Sequence, residues 1–217
     1  MNAVSTVVLT HNKVELALHT LRAADGPNLL LLHGLGEASP TTVPRWAGCW
    51  TGAVHALDFT GHGSSTVPVG GGYTAEMLMA DADMAIAHLG SATIVGRGLG
   101  AYIGLLIGGA RADQVGGVVL ADGPGISGGA TTPTSQPVVT ADAVDSTPDP
   151  YAIIELGRDL RPPDYATTFV RLANEGSDLP EPITVTAKFR PRWLRAVVDE
   201  PGVREAPSIA DALSRYA

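Results

Sequence analysis

Three glycines at alternate positions, Gly96, Gly98 and Gly100, separate two apolar runs. Before them stands Ala92-Thr-Ile-Val95, and after them Ala101 to Ala110 with its Ile, Leu and Tyr side chains. The first run is short and reads as a buried strand. The second is long enough for a helix, and the glycines mark a tight turn between the two. A strand that turns directly into a covering helix constrains the fold strongly. The next strand must then return parallel to the first, with the helix packed across the sheet face.

The rest of the first half repeats that alternation. Ser5–His11 and Glu15–Arg22 read as a hairpin turning at His11-Asn-Lys. Asn28–Leu32 carries four consecutive leucines, the pattern of a strand buried on both faces. Ala53–Leu57 is a weaker strand ending at Asp58, and Thr74–Leu89 is a helix with Thr74 as its cap. Met77 or Leu78, Ala82, Ala85 and Leu89 fall on one helical face. Gly116–Ala121 supplies the strand that follows the glycine turn. The expected class is α/β: a mostly parallel central sheet with helices on both faces.

After Asp122 the pattern breaks. Residues Gly123–Pro150 are rich in Gly, Thr, Ser and Pro and show no apolar period. Asp149–Asp159 and Pro163–Asn174 read as helices, Ile183–Ala187 as a strand, Trp193–Val198 as a further strand, and Ser208 as the cap of a last helix ending at Tyr216. The expectation is one domain over 1–217, with 123–180 as a reduced lid.

Four segments together resemble the α/β-hydrolase superfamily: Leu29-Leu-Leu-Leu-His-Gly-Leu-Gly36, Ala56-Leu-Asp-Phe-Thr-Gly-His-Gly-Ser-Ser65, the Gly96–Gly100 turn, and Val118-Val-Leu-Ala-Asp-Gly-Pro-Gly125. They stand in the family's order and cover roughly residues 5 to 125. In that family the turn is a nucleophile elbow, G-x-S-x-G, with serine in the middle. Here the middle residue is Gly98, which has no nucleophile. The resemblance implies that the backbone N–H groups of Leu35 and Leu99 are the oxyanion donors, with His33 and Gly34 shaping the first loop. The alternative for this loop is a tight turn with a packed histidine.

The family's base is also missing. Its triad runs Ser, then Asp or Glu, then His along the chain. His11, His19, His33, His55, His62 and His88 all precede the elbow. Where the histidine would stand, the chain reads Gly202-Val-Arg-Glu205, and Asp199 or Glu200 stands near the family's acid. The C-terminal third leaves little room for the family's two closing strands and intervening helix. Asp122, at a strand end, is a weak candidate acid, or it braces a turn with Gly123. Asp58 and Gly61-His62-Gly63-Ser64 read as loop-bracing residues, and Ser64 or Ser65 as a displaced nucleophile lacks an assigned base. Arg97 either pairs with a carboxylate, such as Asp122 or a ligand's, or runs to the surface.

Composition narrows the partners. A net charge of −8 and the lack of a basic cluster disfavour nucleic acid and anionic membranes. The single cysteine, Cys49, offers neither a disulfide framework nor metal-ligand spacing, and no cofactor or metal is expected. The N-terminal residues lack the charged-then-apolar pattern of a secretion signal, so a cytoplasmic location is expected. Three readings of function stay open. The leading one is a pseudoenzyme whose pocket, lined by His33, Gly34, Leu35, Arg97, Gly98 and Leu99, binds a small apolar molecule or a protein partner, with Gly98 enlarging its floor. The second is an esterase-like or cofactor-free enzyme with a relocated site, using His33 or His62 as base and water as nucleophile. The third is a role in oligomer assembly.

Overall fold

Leu29–Leu32 forms strand β3 and is buried along its whole length because it lies at the centre of the sheet. The computed structural model describes residues 5–11, 13–129 and 146–217. The other strands are β1 (Ser5–His11), β2 (Val14–Arg22), β4 (Val54–Leu57), β5 (Ala92–Arg97), β6 (Val115–Ala121), β7 (Ile183–Val185) and β8 (Val203–Glu205). Their spatial order is β1-β2-β4-β3-β5-β6-β7-β8. The hairpin strand β2 runs antiparallel to β1 and β4, and every later pair is parallel. Asn12, at the hairpin turn, lies outside the described residues.

The strict side-to-side alternation of a strand splits the leucine run between two cores. Leu30 and Leu32, with Ile94, Val118 and Leu120, face helices α1 (Ala75–Leu89), α2 (Leu99–Ala110), α4 (Pro163–Gly176) and α5 (Arg192–Val198). Leu29 and Leu31, with Val95 and Val119, face Trp50, Leu213 and their neighbours. This second face is thinly covered. It carries α6 (Ile209–Leu213) and a single 3-10 turn at Arg45–Cys49. Helix α2 is buried from Leu99 to Gly109 because it is packed on the sheet, on α1 and on α4.

Within 123–180, residues 130–145 lie outside the described residues. Helix α3 (Pro150–Arg158) starts at Asp149, and α4 buries Ala166, Val170 and Ala173 against α2 and α5.

Two expectations for the C-terminal third are corrected. Trp193–Val198 is helix α5 rather than a strand: Pro191 opens it, and Trp193, Leu194 and Val197 form its buried face. The two valines favour a strand locally, but the i, i+1, i+4 spacing of the buried residues matches a helix lying on the sheet. Nor is the C-terminal third too short. Three-residue strands β7 and β8, with seven-residue α5 between them, complete the parallel sheet.

Candidate functional site

A tight strand-to-helix turn forms at the expected elbow, and its middle residue carries no side chain. Gly98, between β5 and α2, adopts φ 59° and ψ −117°, a left-handed conformation that favours glycine. Gly100 lets the start of α2 approach the carbonyl oxygens of Leu32 and His33 closely, where a Cβ would overlap both backbone groups.

The two expected oxyanion donors converge, and their target is already present. Leu35 N–H and Leu99 N–H both donate to the carbonyl oxygen of Pro124, at 3.0 and 2.9 Å. A substrate oxyanion would need the same two donors at the same distances. Both N–H groups are therefore already taken by the chain's own backbone. The segment that takes them is anchored along its length. Trp193 Nε1 donates to Ile126 O at 2.8 Å, Gly129 N to Asp159 O at 2.7 Å, and the buried Arg161 guanidinium to Gly125 O. Gly98 does not enlarge a pocket floor, because the Gly123–Pro124 backbone lies directly over it and would overlap a Cβ there.

His33 and His62 are both buried and both fully used. A carbonyl can only accept, so His33 Nδ1–H donates to Gly34 O at 2.8 Å, and His33 Nε2 accepts from Phe59 N–H at 3.1 Å. His62 repeats the arrangement, with Nδ1 on Thr60 O at 3.1 Å and Nε2 accepting from Gly36 N–H at 3.2 Å. Burial, with His62 nearby, pushes His33 down to about 4, and burial also lowers His62. Each ring is a neutral brace between loops, with no nitrogen left to take a proton from water.

The other candidates are also occupied. Asp122 accepts from the backbone N–H groups of Lys188 and Phe189, at 2.8 and 3.0 Å, and so ties the exit of β7 to the end of β6. Arg97 pairs with Glu37 rather than Asp122, its Nη1 lying 3.2 and 3.0 Å from the two carboxylate oxygens. Glu37 Oε2 also accepts from Gly34 N–H at 3.0 Å. Glu200 pairs with Arg171 at 2.8 Å. Ser65 links Ala17 N–H to Asp58 O, a brace like that expected of its neighbours.

An open cavity of about 340 Å³ lies nearby, on the thinly covered face at the carboxyl ends of β3 and β5. Leu31, Val95, Pro40, Pro44 and Trp46 give it apolar walls, and His33, Glu37 and Arg97 stand at its polar end. The volume is within the range of small-molecule pockets, and the position is where an open α/β sheet offers a crevice. The six expected pocket residues are thus divided. His33 and Arg97 line the cavity, while Leu35, Gly98 and Leu99 surround the Pro124 carbonyl, and Gly34 bridges the two places through Glu37. The sequence reading missed Pro124 and Glu37. The only signal was Gly123-Pro-Gly125, a rigid kink just after a strand. Among the described residues no group of His, Cys, Asp and Glu is placed to hold a metal, and no helix is long and apolar enough to cross a membrane.

No protein-family model matches the chain, and no curated protein matches it. Solved structures do. A membrane phospholipase A, described as a bacterial virulence factor, has a TM-score of 0.58 at 16% identity, covering 99% of this chain and 86% of its own. The thioesterase domain of the curacin biosynthetic pathway is 22% identical over 55% of this chain and 44% of its own, with a TM-score of 0.49. Epoxide hydrolase A from Mycobacterium thermoresistibile is 24% identical over 54% of this chain and 39% of its own, with a TM-score of 0.44. The chain spans less than half the length of the last two. Sheet order and full-length superposition agree: the chain has the α/β-hydrolase fold.

Proposed function

We propose that this protein is a non-hydrolytic binder of small apolar molecules. In this reading residues 123–180 are a reduced lid whose first residues have folded into the old reaction centre. One observation carries it: the Pro124 carbonyl takes both N–H groups that an ester's developing oxyanion would require. The missing serine at 98 and the fully bonded His33 and His62 point the same way. Binding is assigned to the 340 Å³ cavity, whose apolar walls suit an alkyl or aryl body and whose Arg97–Glu37 end suits one polar group.

Two measurements test it. In steady-state assays with aryl esters of short and medium acids, turnover should fall far below the roughly 1–10³ s⁻¹ of working enzymes. It should also be unchanged in His33→Gln. Turnover within that range, lost in the variant, would overturn the reading. The second is a titration of Trp46 fluorescence with 1-octanol, with Trp46→Phe as the control. A saturable change is expected in the wild type and should be lost in Ala38→Phe, which fills the cavity mouth. No saturable change, or an equal one in Ala38→Phe, would remove the binding assignment.

A further inference from the structure

The geometry points to a separate nucleophilic centre on β1, β2 and the first residue after β4, in which Thr6 is activated by His19 and Asp58 toward activated esters. Thr6 and His19 are directly opposed in the β1–β2 ladder, so their side chains share one face. Thr6 Oγ1 lies 2.8 Å from His19 Nδ1, and His19 Nε2 lies 3.0 Å from Asp58 Oδ2. Asp58 is buried, which alone would raise its carboxyl. Hydrogen bonds from His19, Ser64 N–H and Ser39 N–H outweigh that and hold it below the usual range. The latter two are 2.8 and 2.7 Å long.

An ionised carboxylate can only accept, so Nε2 carries the imidazole proton. With Nδ1 unprotonated, as a general base requires, that nitrogen accepts and the Thr6 hydroxyl donates to it. Hydroxyl, base and base-orienting carboxylate are thus in the order that nucleophilic catalysis uses. Thr6 is exposed at its end of the relay, while Asp58 is buried at the other. Ser39, which braces Asp58, stands between Ala38 and Pro40 of the cavity wall.

The same sheet holds a comparison. Thr20 Oγ1 lies 3.2 Å from His55 Nδ1, and His55 Nε2 lies 3.3 Å from Asn28 Oδ1. The layout is repeated with a neutral amide in place of the carboxylate, longer contacts and a buried imidazole. Only the Thr6 relay ends in a charge able to stabilise an imidazolium.

The chemistry balances as an acyl transfer. Thr6 Oγ1 bonds to the carbonyl carbon of an aryl ester while its proton passes to His19 Nδ1. The bond from carbon to aryl oxygen breaks, and the phenolate takes the proton from His19. The products are a phenol and an O-acyl Thr6. Thr6 and His19 are the catalytic residues, and Asp58 is a positioning residue.

The test is incubation of the full chain with 4-nitrophenyl acetate, read by intact mass and by peptide mapping. One acetyl group at Thr6 is expected, and none at Thr20. Thr6→Ser should keep the label and Thr6→Val should lose it. His19→Gln should slow labelling by about 10²-fold or more, the contribution of a positioned base. A downfield proton resonance from His19 Nε2–H bonded to carboxylate should persist in Thr6→Val and vanish in Asp58→Asn, together with fast labelling. Acetylation confined to Lys13, Lys188 or the amino terminus would overturn the assignment. So would Thr6 labelling at an equal rate in His19→Gln. An adduct at Thr6 reads this centre alone, whereas the proposed closed site is overturned only by fast turnover that His33→Gln abolishes.

Discussion

At position 98 the backbone holds φ 59° and ψ −117° while Pro124 O and the Gly123 carbonyl lie where a Cβ would stand. Placing a serine there meets two separate costs. A side chain in this conformation costs about 1–3 kcal/mol. Forcing a Cβ into packed backbone costs about another 1–3 kcal/mol. Gly98→Ser should therefore lose about 2–6 kcal/mol and lower the melting temperature by roughly 4–24 °C, at 2–4 °C per kcal/mol for a chain of this size. It should gain no esterase activity, because His33 and His62 have no nitrogen to offer the new hydroxyl. Thermal unfolding together with an aryl-ester assay checks both halves. An undiminished melting temperature would mean that the Gly123–Pro124 segment moves aside easily.

Helix starts decide how the elements are fastened, and their caps differ in burial. Asp149 opens α3 by accepting from Tyr151 N–H at 3.1 Å, and it also accepts from the Tyr73 hydroxyl at 2.7 Å. Both Asp149 and Tyr73 are buried. Ser208 opens α6 by accepting from Asp211 N–H at 3.2 Å in an exposed setting. Losing a cap costs about 1 kcal/mol, and orphaning a buried hydroxyl adds about 1–3 kcal/mol. Asp149→Ala should thus cost about 2–4 kcal/mol and Ser208→Ala about 1 kcal/mol in urea unfolding. Equal losses would show that the Tyr73 bond contributes nothing. Elements with a strong local signal are where the sequence placed them: the leucine run, the Thr74-capped helix and the Gly-rich turn. Two segments of the C-terminal third with a weak one are not. Strand β8 is the short polar stretch Val-Arg-Glu, which becomes a strand only because β7 offers it a parallel edge. Likewise α5 is helical because the sheet rewards the buried face of Trp193, Leu194 and Val197.

For the whole molecule, buried ionisable groups set the response to acid, and Asp81 opposes His33 and His62. Burial holds His33 at about 4, below its unfolded value near 6.5. Burial lowers His62 in the same direction. As pH falls from about 6.5 to 4, the unfolded chain takes protons that the folded chain refuses. Stability then drops by about 1.4 kcal/mol per pH unit for His33, and His62 adds to the loss in the same direction. Asp81 acts in reverse. Burial raises it to about 7, above an unfolded value near 3.9, so the folded chain binds its proton first and gains stability over the same window. The wild type should therefore show a shallow dependence. Asp81→Asn removes the opposing group, and its unfolding free energy should fall by about 1–3 kcal/mol per pH unit between pH 6 and 4.5. Urea titrations at fixed pH values check this, and equal slopes for the two proteins would contradict it.

At this scale the sequence alone determined the α/β class, the central leucine strand, the elbow turn, and the absence of both serine and C-terminal histidine. Those are properties of neighbouring residues: burial period, turn chemistry, and which side chain a position carries. Tertiary structure decided what occupies the site. Pro124 meets Leu35 and Leu99, Arg97 meets Glu37, and Thr6, His19 and Asp58 meet across three strands. Each meeting depends on sheet register or on where a backbone carbonyl points after the chain has closed, and no local pattern of side chains encodes that direction.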